Sequence, residues 1–260
     1  MIDTPAGFAA FARSLAETAR AETLSVAAGA RIENKAEGGA FDPVTEADKA
    51  AELAMRRLIE REYPDHGIDG EEFEPRPAKG RWSWSLDPID GTRAFVCGLP
   101  GWTTLIALLD EGEPVLGVID APRIGEIYLG HGEFATLLTA SGEHEIAVSG
   151  CARLAEARLS TTDPFLFEGA EREGFERLRR AGLLTRYGWD GYAYARLAAG
   201  SLDLVVESGL KPHDYQALVP LIRAAGGAVA DWNGGTKFVE GRIIAAASQA
   251  LLEEAVGLLA

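Results

Sequence analysis

Cysteine is scarce in this chain: Cys97 and Cys151 are the only two among 260 residues. They show no short metal-type spacing, so the sequence argues against a zinc site or a disulfide scaffold and is typical of a reducing compartment. Long apolar runs are missing too, since no segment approaches the ~18 apolar residues of a membrane span. The stretch from Met1 to Pro5 lacks the basic and apolar regions of a secretory signal. We therefore expect a cytoplasmic protein with no membrane partner.

Positive charge is also in short supply. The chain has 25 Lys and Arg residues against 40 Asp and Glu residues, which gives a formal charge of −15. A surface of this sign repels DNA and RNA, so no nucleic-acid partner is expected. An acidic protein that acts on an anionic substrate needs a local source of positive charge, and a bound metal ion would supply it. The hydrophobic share of 47% predicts an ordinary globular core.

Two carboxylates, Asp87 and Asp90, stand three residues apart in the segment WSLDPIDGT, residues 84–92. Pro88 has no N–H donor and cannot extend a central strand, so we expect a strand to end at Leu86 and the chain to turn at Asp87. Such a turn would aim both carboxylates into one cleft, where their repulsion requires a cation. Oxygen ligands of this kind suit Mg²⁺, Mn²⁺ or Ca²⁺.

The two residues after this pair fit a phosphate site. Gly91 lets the backbone approach a ligand closely, and Thr92 begins a short helix whose first N–H groups face an anion. The alternative is an ordinary turn, because Asp, Pro and Gly are the usual turn-forming residues. The nine residues alone do not decide between a turn and a metal-assisted phosphate site.

Further acidic residues stand where helices or strands begin or end. Asp48 lies in the first turn of a predicted helix, Glu71 and Glu72 follow a short strand, and Asp214 precedes another helix. Each has a simple alternative explanation, as a helix cap for Asp48 and Asp214 and as surface charge for the glutamate pair. The stronger hypothesis is that they converge on one cluster of divalent cations.

Apolar periodicity divides the chain into two parts, residues 1–145 and 146–260. The first part predicts two amphipathic helices and then a largely antiparallel meander, while the second alternates strands and helices as in an α/β unit. Residues 33–42 are expected to form a loop or a mobile hairpin. Helices are predicted at 5–28, 45–63, 167–181, 191–199 and 214–225, and strands at 67–70, 82–86, 103–109, 114–119, 126–129, 134–138, 158–161, 184–187, 202–207 and 228–231.

Four acidic motifs follow one another along most of the chain, and together they resemble the inositol monophosphatase-like, lithium-sensitive phosphatase family. They are DPVTEAD at 42–48, GEE at 70–72, WSLDPIDGT at 84–92 with Phe95, and Asp214 ahead of AAGG at 224–227. Any one motif is a modest signal, but their joint order makes coincidence a poor explanation. The resemblance implies a layered α+β fold, an α/β/α/β/α sandwich with its site between the two parts. It also implies a homodimer.

The resemblance assigns roles to particular residues. Two or three Mg²⁺ ions, or Mn²⁺ in their place, would be held by Glu71, Asp87, Asp90, Asp214 and the backbone carbonyl of Ile89. Asp48 and Thr92 would position or deprotonate the attacking water, and Glu71 would join them in the catalytic set. The N–H groups of Gly91 and Thr92 would hold the phosphate. Lys35 would bring a positive charge over the site, although a solvated lysine is the simpler explanation for this residue.

The substrate implied is a small phosphate monoester. The segments 94–108 and 202–215 are most similar to the histidinol-phosphate phosphatase branch, which acts in histidine biosynthesis. Asp190 and Glu207 are our candidates for pairing with the cationic groups of L-histidinol phosphate, and Asp214 would face the substrate as well. The alternatives for the first two are a helix cap and a surface acid at a strand end. Inositol 1-phosphate hydrolysis and a catalytically silent, metal- or phosphate-sensing protein remain open.

Overall fold

The computed structural model describes residues 4–26, 32–34 and 43–259. The helices are α1 (Pro5–Val26), α2 (Glu46–Glu62), α3 (Thr92–Val96), α4 (Gly169–Ala181), α5 (Asp190–Ala198), α6 (Pro212–Tyr215), α7 (Leu218–Ala224) and α8 (Gln249–Leu259). The strands are β1 (Ile32–Asn34), β2 (Pro43–Thr45), β3 (Gly67–Gly70), β4 (Trp82–Asp90), β5 (Thr103–Asp110), β6 (Glu113–Ala121), β7 (Glu126–His131), β8 (Phe134–Thr139), β9 (Gly142–Glu145), β10 (Arg158–Thr161), β11 (Leu184–Tyr187), β12 (Leu204–Glu207), β13 (Ala228–Ala230) and β14 (Ile243–Ala246).

Five layers build the molecule. Helices α1 and α2 cover one face of a seven-stranded sheet, β3 to β9 in sequence order, and α5 and α7 cover its other face. The same α5 and α7 also pack on a five-stranded sheet of order β11-β10-β12-β14-β13, whose outer face is covered by α4 and α8. This is the α/β/α/β/α sandwich that the sequence predicted.

Strand β5, near the centre of the larger sheet, has a continuous apolar run in its sequence because it is covered on both faces. In β5, Leu105 and Ala107 join the core shared with α5 and α7, whereas Ile106 and Leu108 join the core beneath α1 and α2. Successive side chains of a strand point to opposite faces, so a strand covered on both sides must be apolar at every position. The predicted meander is confirmed from β4 to β8, and β9 extends it.

The predicted turn at Asp87 is wrong. Strand β4 continues through Pro88 to Asp90, and its pairing with β5 shifts register between Asp87 and Asp90. On the other side, the pairing of β4 with β3 ends at Leu86. The missing N–H of Pro88 therefore falls in a bulge with only one neighbouring strand, which is where sheets tolerate proline.

The smaller sheet is mixed rather than a simple α/β unit. Strands β10, β11 and β12 run parallel, whereas β14 pairs antiparallel with both β12 and β13. Strand β14 and helix α8 were not predicted from the sequence. One helix was predicted at 214–225, where the structure has two, α6 and α7. Pro220 cannot donate to the carbonyl of Gln216, so the regular bonding of a single helix is interrupted there.

Strands β1 and β2 pair antiparallel, with Ile32 opposite Thr45. Lys35 and Asp42, two residues of the predicted motifs and loop, lie outside the described residues, as does most of the predicted loop. The change from one sheet to the other falls between Glu145, where β9 ends, and Arg158, where β10 begins.

Candidate active site

Three carboxylates meet at the end of β4. Oxygen atoms of Asp87, Asp90 and Asp214 all lie within 4.8 Å of one another. The bulge in β4 supplies the first two, and α6, which packs against β4, supplies the third. The fold thus brings Asp214 across from the second sheet to the pair that the sequence placed only three residues apart.

Electrostatic repulsion in this cluster is strong. Burial raises the pKa of Asp87 well above its ordinary value, and the charges of Glu71, Asp90, Asp214 and Asp48 raise it further. Burial also raises the pKa of Asp90 and that of Asp214. Positive charge placed between carboxylates that are crowded away from water in this way would lower their pKa values and favour their ionised forms.

Asp48 and Glu71 belong to the same neighbourhood. Asp48 is 1% exposed in the first turn of α2, and its negative charge helps to raise the pKa of Asp87. Glu71 follows β3, where its N–H donates to the Leu86 carbonyl over 3.1 Å, and its charge acts on both Asp87 and Asp214. Helix capping alone does not require burial of Asp48. Its buried position therefore supports the hypothesis that Asp48 belongs to a cluster of carboxylates that binds divalent cations.

The Asp214 carboxylate can cap helix α6 and also bind a metal ion. It is the third residue of α6, and one of its oxygens accepts the Lys211 N–H over 2.6 Å, which is the helix cap of the simpler explanation. Its other oxygen lies 3.6 Å from His213 Nε2. A carboxylate has lone pairs to spare, so the cap and a metal bond are compatible.

The segment after Asp87 has the geometry of a ligand-binding turn. Gly91 caps α3 with a φ of 83°, a backbone conformation that residues with a side chain rarely adopt. The Thr92 hydroxyl donates to the Ile89 carbonyl over 3.1 Å. The same carbonyl keeps a second lone pair. A Cβ on Gly91 would come within 2.8 Å of an Asp190 oxygen, so Asp190 lies directly against this turn.

The donor set fits a hard divalent cation. Among the described residues, the buried Oδ1 of Asp87 has no hydrogen-bond partner. An unsatisfied, buried carboxylate oxygen facing two other carboxylates is costly unless an ion occupies the space between them. Oxygen-only donors select Mg²⁺ or Mn²⁺ over softer metals.

A second group of acidic side chains lines a cavity of about 150 Å³ that opens beside the cluster. Glu207 is 4% exposed and is no surface acid: its Oε1 accepts the Thr162 N–H over 2.7 Å, and Thr161 donates to its Oε2 over 3.3 Å. Burial raises the pKa of Glu207 to about 8. Burial also raises the pKa of Asp190, which opens α5 with a φ of 42°.

Further residues contact the candidate site that the sequence patterns did not indicate. Thr103 and Gly191 both donate to Asp90 Oδ2, over 2.9 and 2.5 Å. Thr162 holds Glu207, and the Tyr194 hydroxyl is buried without a hydrogen-bond partner in the described part of the chain. A signal existed for Thr162, because it follows β10 and Glu207 ends the parallel strand β12, so both lie at one sheet edge.

Within the described ranges, none of the helices has both the length and the apolar character needed to cross a bilayer.

A sequence profile of the inositol monophosphatase family matches residues 6–259. The chloroplastic bifunctional phosphatase IMPL2 of Arabidopsis thaliana is 46% identical over 196 residues, which are 75% of this chain and 56% of that protein. The chain thus spans little more than half the length of this relative.

Two further relatives match over most of both chains. A histidinol-phosphatase of Chlorobaculum parvum is 34% identical over 211 residues, with 80% of each chain covered. The structure of an inositol monophosphatase from Zymomonas mobilis has a TM-score of 0.81 and 38% identity, with 95% of each chain covered. Since the family match runs through almost the whole chain and the acidic cluster suits a metal-dependent enzyme, this protein belongs to the inositol monophosphatase family and is a phosphoric monoester hydrolase.

Proposed function

We propose that this protein is a Mg²⁺-dependent phosphatase that hydrolyses L-histidinol phosphate to L-histidinol and phosphate, a step of histidine biosynthesis. The observation that carries the proposal is the pair of acidic side chains, half-buried Asp190 and buried Glu207, in the cavity beside the metal cluster. A neutral polyol leaves such a pair uncompensated, whereas an ammonium or imidazolium group offsets its charge.

The proposed chemistry assigns the metal ligands to Glu71, Asp87, Asp90, Asp214 and the Ile89 carbonyl. Bound Mg²⁺ lowers the pKa of water and offsets charge on the phosphoryl group. Asp48 and Thr92 would orient the attacking water, and the Asp48 carboxylate would take up its proton. The hydrogen bond from Thr92 to the Ile89 carbonyl fixes the orientation of the hydroxyl. The N–H groups of Gly91 and Thr92 hold the phosphate at the start of α3.

The similarity to a histidinol-phosphatase supports this choice of substrate. The relative from Chlorobaculum parvum is a histidinol-phosphatase, while the similar structure from Zymomonas mobilis is an inositol monophosphatase. Inositol 1-phosphate is therefore the competing substrate. We further propose that the protein is cytoplasmic and forms a homodimer.

Phosphate release from L-histidinol phosphate, inositol 1-phosphate and a nucleotide monophosphate, measured with Mg²⁺ and with EDTA, tests the proposal. We expect kcat/KM for histidinol phosphate to exceed the other two by at least about tenfold, because a charge-assisted hydrogen bond contributes that much. A preference for inositol 1-phosphate would overturn the proposed substrate. Metal binding without turnover of any of these esters would favour the silent, sensing protein.

Substitution of Asp190 sharpens the test. Asp190→Asn should raise KM for histidinol phosphate by about tenfold and leave KM for inositol 1-phosphate nearly unchanged, because only the first substrate is cationic. Asp163→Asn is the matched control, since Asp163 is outside the lining of the cavity and 34% of its side chain is exposed. Equal effects of Asp190→Asn on both substrates would contradict its role in recognising a cation.

A further inference from the structure

Helix α2 carries a stripe of buried charge. Asp48, Glu52 and Arg56 are spaced four residues apart, so they lie on one face of the helix, and they are 1%, 0% and 8% exposed. Buried ionic residues are costly, because the desolvation of each charge must be offset by partners. Asp48 belongs to the candidate active site. Glu52 and Arg56, one and two turns farther along, have no role in the reaction described above.

Glu52 and Arg56 hold the backbone of the segment that carries Glu71. Arg56 Nε donates to Glu52 Oε1 over 2.7 Å, and the Glu72 N–H donates to Glu52 Oε2 over the same distance. The other two nitrogens of Arg56 donate to the carbonyls of Phe73 and Glu74, over 3.0 and 3.2 Å. One ion pair thus binds three consecutive residues of this segment to α2.

Glu71 depends on these contacts because its own segment has no regular structure. Beyond Gly70, strand β3 has ended, and the chain forms bends with Phe73 and Glu74 exposed. On one side of Glu71, its N–H is bonded to Leu86 in β4. On the other side, the next N–H along the chain is bonded to Glu52. The position of the Glu71 carboxylate is therefore set between β4 and α2.

The fit between this segment and Glu52 leaves no spare room. A Cβ on Gly70 would lie 2.1 Å from Glu52 Oε1 and 2.4 Å from its carboxyl carbon. The carboxylate is the end of a flexible side chain, but Arg56 and the Glu72 N–H hold it from both sides. Any larger residue at 70 would displace the carboxylate or the segment.

We propose that Glu52, fixed by Arg56, is a positioning residue that holds the segment 70–74 against α2 and so places Glu71 for the divalent cation. This inference rests on the metal site of the proposed function. Groups that orient metal ligands typically change metal affinity by about 10- to 100-fold when they are replaced. The expected consequence is a change in metal affinity rather than in the binding of the organic part of the substrate.

Glu52→Gln in the full-length protein is the first test. The amide keeps an acceptor for the Glu72 N–H but loses its ion pair with Arg56. We expect the dissociation constant for Mg²⁺, measured by calorimetry, to rise by about tenfold or more. We expect kcat at saturating Mg²⁺ and KM for the phosphate ester to stay within about threefold, since the metal-loaded site is the same. Glu62→Gln, which removes an exposed carboxylate from the same helix, should change none of these values.

Gly70→Ala perturbs the same contact from the other side. We expect it to weaken Mg²⁺ binding as Glu52→Gln does, because the new methyl group displaces the Glu52 carboxylate. Gly80→Ala is the matched control, since a Cβ there meets nothing within 4 Å. Arg56→Lys keeps the charge beside Glu52 but loses the forked contacts, so its effect should be intermediate.

The outcomes separate the two proposals. If wild-type protein binds Mg²⁺ and both Glu52→Gln and Gly70→Ala bind it equally well, the positioning role is overturned and the proposed function stands. A fall in melting temperature in EDTA, with unchanged Mg²⁺ affinity, would also overturn it by showing a purely structural role. If wild-type protein binds no divalent cation, the proposed function is overturned, and this inference with it.

Discussion

Glu207 illustrates how burial changes the chemistry of a single side chain. Its sequence position, at the end of an apolar strand, is equally compatible with a solvated surface acid. In the fold it is 4% exposed, and burial raises its pKa to about 8, although hydrogen bonds from Thr162 and Thr161 act in the opposite direction. An acid held in this state favours a cationic ligand, since the charge of the ligand restores its ionisation.

The raised pKa of Glu207 predicts how the stability of metal-free protein depends on pH. The folded protein keeps a proton on Glu207 up to about pH 8, while the unfolded chain releases it near 4.5. The contribution of Glu207 to the free energy of unfolding therefore falls as pH rises through this window. Glu207→Gln has no titrating proton at this position. The melting temperature of Glu207→Gln minus that of wild type, both measured in EDTA, should therefore increase from pH 5 to pH 8. Melting curves that differ by a constant amount across this range would contradict the prediction.

At the scale of elements, the start of α5 contacts the carboxylate cluster of Asp87, Asp90 and Asp214. The Gly191 N–H donates to Asp90, and a Cβ at this position would lie 2.5 Å from Asp90 Oδ2 and 2.8 Å from Thr103 Oγ1. The absence of a side chain at 191 is therefore what lets α5 approach β4 and β5. In β4, the bulge at Pro88 orients Asp87 and Asp90 toward the same space.

Gly191→Ala should weaken Mg²⁺ binding and lower phosphate release by at least about tenfold, because the methyl group pushes α5 away from Asp90. The dependence of activity on Mg²⁺ concentration measures this effect. Gly257→Ala, in the exposed part of α8 with open space around it, is the control and should stabilise the protein by about 0.5–1 kcal/mol without changing activity. Wild-type activity in Gly191→Ala would show that the close approach is dispensable.

At the scale of the whole molecule, two glycines let the central helical layer lie on the larger sheet. Gly117 in β6 and Gly130 in β7 are directly opposite each other. A Cβ on Gly117 would be 1.9 Å from the Ala217 carbonyl oxygen, and one on Gly130 would be 2.5 Å from the Leu221 Cα. Both obstacles are backbone atoms of α7 or its N-cap, so they cannot turn aside as a side chain would.

Gly130→Ala should therefore separate the layers and destabilise the protein by about 1–3 kcal/mol, as overpacking of a core does. For a chain of this size that corresponds to a fall in melting temperature of roughly 2–4 °C per kcal/mol, which scanning calorimetry measures. Gly80→Ala should melt as wild type does. Since α6 and Asp214 precede α7, Gly130→Ala should also weaken metal binding, and normal stability together with normal binding would contradict this account.

Local patterns in the sequence were sufficient for many of the elements. Helix α2, strands β10 and β11, and the antiparallel meander follow from apolar periodicity and turn residues that act over a few positions. Strand β14 and α8 were missed. The turn at Asp87 was predicted wrongly because the cost of proline depends on whether a neighbouring strand needs its N–H, and only the sheet decides that.

Some residues of the candidate site could be identified from the sequence, and others only from the structure. Asp48, Glu71, Asp87, Asp90 and Asp214 were singled out by residue type and motif order, and the structure brings them to one place. Glu52, Thr103, Thr162 and Gly191 were not, because a buried glutamate or a threonine has no distinctive local pattern. Their importance arises from contacts with residues that are distant in the sequence, such as Glu72 for Glu52.

By itself, the sequence determined the composition, the acidic charge, the order of the carboxylate motifs and most helix and strand positions, because these depend on each residue and its near neighbours. Only the tertiary structure decided that Asp214 meets Asp87 and Asp90, that Glu207 is buried, and that α2 holds the segment of Glu71. The physical reason is that burial and electrostatic coupling depend on distance in space. Elements far apart along the chain set that distance when they pack into common layers.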